Sequence, residues 1–181
     1  MASMNAAVLR PEIFCEPMPA PQRIAPYASA ITADLTVDDD EVGTGRLILL
    51  HDPDGNEAWG HQTFRCVAYC RVDIEVEQAG DPFLGEVAWS WLTEALESHG
   101  ADAVAIAGTV TKVSTESFGG MADEGAAAQV EVRASWSPVL SDSFDVAPHV
   151  QAWAELLCAA AGLPPVPEGV AVLANRRGQR G

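Results

Sequence analysis

His51, Asp52, Asp54, Glu57 and His61 fall within eleven consecutive residues. Imidazoles and carboxylates at that density could build a small hydrolytic or metal-dependent centre. His51, Asp52 and His61 are the candidate catalytic residues of such an enzyme. Two features count against metal. The glycine of Asp52-Pro53-Asp54-Gly55-Asn56 comes too early for a calcium loop, and no bidentate glutamate follows at the required distance. Pro53 and Gly55 are turn residues, so the bland reading is a hairpin turn with polar decoration.

Other sets carry less. Ser114, Thr115 and Ser117 precede Phe118-Gly119-Gly120, yet neither G-x-S-x-G nor G-x-x-x-x-G-K-[ST] occurs. Glu86, Glu94 and Glu97 lie in a helical pattern whose polar face is expected to be solvated. Cys66 and Cys70 are four residues apart on an expected strand, roughly 13 Å, beyond the reach of a disulfide or a shared ion. They read as small buried hydrophobes, together with Cys15 and Cys158 as reduced thiols. No metal ion and no cofactor is expected.

The tryptophans offer a different chemistry. Trp89 and Trp91 are about 200° apart around a helix, so burying one turns the other outward. Trp91 follows the apolar stripe, which leaves Trp89, with Phe118, as candidate partner-binding residues.

These residues need elements to position them. Phe64, Cys66, Ala68, Cys70, Val72, Ile74 and Val76 alternate with Arg65, Tyr69, Arg71, Asp73, Glu75 and Glu77, which predicts a long strand with one buried face. Tyr27–Val37 and Gly43–His51 read as strands before it, giving an antiparallel meander. Asp81-Pro82 predicts a helix start, with Leu84, Val87, Ala88, Trp91, Leu92 and Ala95 on one face up to Gly100. Val104, Ile106 and Val110 mark a fourth strand; Val130, Val132, Ala134 and Trp136 mark a fifth. A last helix runs from Val146 to Ala161. Residues 1–26 read as a short helix at Ala6–Leu9 and a Pro-rich strap, 27–163 as a single domain, and 164–181 as a Pro-rich, Arg-ended flexible tail.

The expected fold is therefore α+β: a two-layer sandwich on a mainly antiparallel five-stranded sheet, in the order α-β-β-β-α-β-β-α. Its element order resembles that of secretion chaperones, an analogy of topology alone. The five-stranded sheet leaves two edges. Strand 128–137, with Glu131 and Arg133 alternating, is a candidate edge, and a homodimer is expected through an edge strand or the adjacent helices.

Several word-like stretches carry a further resemblance: Pro19-Ala20-Pro21-Gln22-Arg23, Leu50-His51-Asp52-Pro53, Trp89-Ser90-Trp91-Leu92, Glu116-Ser117-Phe118-Gly119-Gly120 and Ala161-Gly162-Leu163-Pro164-Pro165. Over nearly its whole length the chain resembles an actinobacterial (high-GC Gram-positive) family of uncharacterised proteins, known only as a domain of unknown function. The resemblance implies a bacterial cytoplasmic protein and brings no activity, cofactor or site residue.

Charge narrows the partners. The net charge is −16, with Lys112 as the only lysine. Nucleic acid and anionic membrane both require basic surface, so neither is an expected partner. No run of 18 apolar residues and no signal peptide is present, which points to the cytoplasm. The leading expectation is a non-enzymatic protein-binding or adaptor/chaperone-like module with an acidic surface, a homodimer holding an unknown protein partner. The alternative is the small hydrolase or metal-dependent enzyme built on His51, Asp52 and His61.

Overall fold

The computed structural model describes Met4, residues 7–140 and residues 144–165. Six strands form one antiparallel sheet: β1 (Ile13–Met18), β2 (Tyr27–Val37), β3 (Asp40–Asn56), β4 (Gln62–Ile74), β5 (Ala103–Glu116) and β6 (Ala126–Pro138). Their spatial order is β1-β2-β3-β4-β6-β5. Among the described residues three α-helices accompany them: α1 (Val76–Ala79), α2 (Leu84–Ser98) and α3 (Ala147–Ala160). The α+β class holds, but the sheet has six strands rather than five.

The additional strand comes from the Pro-rich stretch. Pro17 has no N–H to donate, and β1 tolerates it because it is an edge strand paired only with β2. Residues 7–10, where a first helix was expected, are not helical. Arg10 instead fastens this segment: its guanidinium pairs with Glu12 at 3.2 Å and donates to the Pro164 carbonyl at 2.7 Å. The expected tail from residue 166 onward lies outside the described residues.

Strand 128–137 is also corrected. β6 lies between β4 and β5, hydrogen-bonded on both sides, so it is no edge and cannot pair with a second copy. The two edges are β1 and β5. The strand order follows from a crossover: the chain leaves β4, runs through α1 and α2 to the far edge as β5, then turns back as β6 to fill the gap.

Alternation in β4 sets the layers. Cys66, Ala68, Cys70 and Val72 are buried, opposite Trp136, Ala134, Val132 and Val130 of β6. Ile74, at the end of the strand, is only half-buried. α3 lies over β3 and β4, α2 lies over β5 and β6, and the helices pack on each other. The helix that lies over Cys70 of β4 is thus α3, not α2.

Two strand glycines let these helices come close. A Cβ on Gly45 would meet Leu157 Cδ1 at 2.6 Å and Trp153 Cζ2 at 2.8 Å; one on Gly108 would meet Trp89 Cζ3 at 2.7 Å. Trp153 also donates from Nε1 to the Tyr69 carbonyl at 3.2 Å. Both helices cover the same face of the sheet, and its other face is left largely open.

Candidate functional site

The hairpin arm that holds His51, Asp52 and His61 does not gather them. Adjacent strand residues point to opposite faces, which separates His51 from Asp52. The His51 ring is stacked between Tyr27, at 5.6 Å, and Phe64, at 4.2 Å, and Phe144 lies 6.0 Å from Phe64. Asp52 accepts from the Asp54 N–H at 3.3 Å and from Asn56 Nδ2 at 3.4 Å, so its carboxylate shapes the turn. His61 is exposed in the left-handed region, φ 62°. Among the described residues no group of three His, Cys, Asp or Glu side chains is placed to hold a metal ion.

The buried thiols are held in their protonated form. Burial pushes Cys158 up to about 12 and raises Cys66 and Cys70 further. All four cysteines are free. His149, which the sequence did not single out, is with Ser137 one of two buried polar side chains among the described residues. It accepts from Trp136 Nε1 at 3.1 Å, and burial lowers its pKa to about 4, against the opposing pull of Asp102 and Asp145.

The two aromatic candidates are far apart. Trp89 is half-buried because its ring lies on Gly108. Trp91 is half-buried too, beside Ile74, Leu84 and the end of α3. Phe118 is 75% exposed, with Met121 nearby in the β5–β6 connection. Ten residues of strand and turn separate Phe118 from Gly108, roughly 30 Å. They do not form one patch.

The open face of the sheet does form one. Register places Thr32, Arg46, Tyr69, Arg133 and Thr109 in a single row across β2, β3, β4, β6 and β5. The neighbouring row holds Ile48, Val67, Ser135 and Ala107. All of these but Thr32 line a shallow recess of about 800 Å³ whose walls include two arginines and no carboxylate.

Tyr69 is the fixed centre of that recess. Its hydroxyl donates to Glu131 at 3.2 Å, while the Arg133 guanidinium sits 5.0 Å from its ring centroid and pairs with Glu131 at 3.2 Å. Burial, then the nearby Glu131 carboxylate, raises the Tyr69 pKa, so the phenol remains a neutral donor. Arg71 lies in the adjacent row, opposite Thr44 and Glu131. Arg46 and Arg71 are exposed and enter none of the ion pairs found among the described residues.

Arg65 closes one end. It donates to the Ala105 carbonyl at 2.9 Å, to Ser137 Oγ at 3.2 Å and to Ser135 Oγ at 2.6 Å, tying β4 through β6 to the bulge in β5. Ser137 Oγ in turn donates to the Trp59 carbonyl at 3.1 Å, so the buried Trp59 and the hairpin tip wall off that end. Four of the nine arginines thus stand on one sheet face. Sequence reasoning missed this row. Arg65, Tyr69 and Arg71 were legible as the outward side of β4, but Arg46 and Arg133 join Tyr69 only through cross-strand register.

A family model described as "Protein of unknown function (DUF3000)" matches residues 1–171. No match was found among curated proteins. None was found among solved structures. No helix among the described residues is long and apolar enough to cross a membrane.

Proposed function

We infer the role of this chain, which belongs to the DUF3000 family, from its own geometry, and propose that it is a non-enzymatic protein-binding module. The observation that carries this reading is the Arg46–Tyr69–Arg133 row over an apolar floor of Ile48 and Val67, in a recess of about 800 Å³. Arginine and tyrosine around a small apolar patch are the composition of interface anchors.

The recess suits a protein segment that carries a carboxylate beside an apolar side chain. Guanidinium forks bind carboxylates with fixed geometry, and the floor takes the apolar group. The net charge of −16 adds selectivity. An acidic chain is repelled at long range, so only a segment that reaches the recess gains from it. The same charge disfavours nucleic acid and anionic membrane as partners. A cytoplasmic setting in a high-GC bacterium belongs to this reading, supported by the single lysine and the unpaired thiols.

The test is affinity purification of the tagged chain from its native host, alongside an Arg46→Ala/Arg71→Ala variant. Both side chains are exposed, so the variant is expected to melt like the parent and to lose the partner. A partner retained equally by both proteins would place binding elsewhere.

A further inference from the structure

The two edges of the sheet are guarded unequally. β1 is six residues long, contains Pro17 and is followed by Pro19, Pro21 and Pro26. Prolines are a standard defence against edge-to-edge pairing. β5 is fourteen residues long, contains no proline and is exposed along almost all of its length. Its bulge, with Ala105 at φ 51°, interrupts only the first part; from Ala107 to Glu116 the ladder to β6 is unbroken.

The composition of β5 is that of a strand awaiting a neighbour. Thr109, Thr111, Val113 and Thr115 are β-branched residues, favoured where side chains pack across strands. Its only charges are Lys112 and Glu116, which cancel in a chain of net charge −16. The lysine does not shield the edge, since its Nζ donates to the Asp81 carbonyl at 2.9 Å, over the helical layer. Two copies of so acidic a molecule repel one another over most of their surface, and a neutral strand is where that repulsion is least.

We propose that the β5 edge pairs antiparallel with β5 of a second copy of this chain, joining two six-stranded sheets into one. A two-fold axis normal to the sheet keeps the two open faces on the same side and sets residues of like parity opposite each other. Pairing about Thr111 engages most of the unbroken ladder and places Lys112 opposite Val110 of the copy rather than opposite another lysine. The proposal stands independently of the reading of the arginine row.

Sedimentation equilibrium at micromolar concentration tests it, with Thr111→Lys and Thr111→Cys as variants. Thr111 is exposed and lies beside Glu131 in β6, so a lysine there has an intrachain partner and leaves the fold intact, while across the axis it meets its own copy. The expected results are a native mass of twice 19.1 kDa, a monomer for Thr111→Lys, and a disulfide-linked dimer on oxidation of Thr111→Cys. A native mass of 19.1 kDa at every concentration overturns the proposal. So does a dimer that survives Thr111→Lys and leaves Thr111→Cys uncrosslinked. Pairing of β5 with a strand of another protein would give the first of these two results.

Discussion

His149 makes the stability of the molecule depend on pH through a single core contact. Its imidazole titrates near 4 in the folded chain, below the 6.5 of an exposed histidine. As pH falls through that window the unfolded chain takes up a proton that the native chain refuses, so stability is full above about 6.5 and declines towards 4. The loss is on the order of 3 kcal/mol at the lower end. Urea unfolding at neutral pH and near the lower limit measures it. His149→Gln, which still offers Trp136 an acceptor, should flatten the slope between the two. The paired glycines give a second residue-scale prediction. Gly45→Ala pushes a methyl against Leu157 and Trp153 and should cost about 1–3 kcal/mol. Gly85→Ala, whose Cβ meets nothing within 4 Å in α2, should gain about 0.5–1 kcal/mol; thermal melts of the two variants should move in opposite directions. Helical geometry alone turned Trp89 outward. It could not show that Gly108, on the strand that follows, would make room for its ring.

At the scale of elements, local chemistry was read well where it was sufficient. β2 was legible to the residue, because Asp38 and Asp39 close its hairpin to β3 with φ of 51° and 72°, the two positive values that a tight turn with correct twist requires. Aspartate tolerates that region at a cost, so Asp39→Gly should stabilise the chain by about 0.5–1 kcal/mol, read as a shift in the urea midpoint with an unchanged slope. α3 was also legible, from an apolar stripe bounded by Val146 and Gly162. The failures have a common cause. β1 was hidden because proline argues against a strand until its place at an edge is known. β6 was taken for an edge because sequence order says nothing of the crossover that slots it between β4 and β5. The arginine row was invisible for the same reason. Alternation shows which way a side chain points, and only register shows what stands beside it.

For the whole molecule, charge is the one global property that the sequence states outright. A net charge of −16 sits on a chain in which two ion pairs, Arg10–Glu12 and Arg133–Glu131, are found among the described residues. Such partly exposed surface pairs contribute about 1 kcal/mol each, so they do little to offset the mutual repulsion of the remaining carboxylates. Salt screens that repulsion within a distance of about 10 Å at 0.1 M. Two consequences share one sign. The folded state, more compact than the unfolded chain, gains stability as salt is added, so Tm should rise with NaCl. The β5-paired dimer brings together two bodies of like charge through a neutral strand, so its dissociation constant should fall over the same range. Association held by attraction between opposite charges would respond the other way, weakening as salt rises. Calorimetry and sedimentation equilibrium on the same NaCl series separate the cases. A flat or falling Tm would mean that the carboxylates are too well dispersed to strain the fold. A dissociation constant that rises with salt would mean that the two copies meet through charged side chains rather than through the backbone of β5.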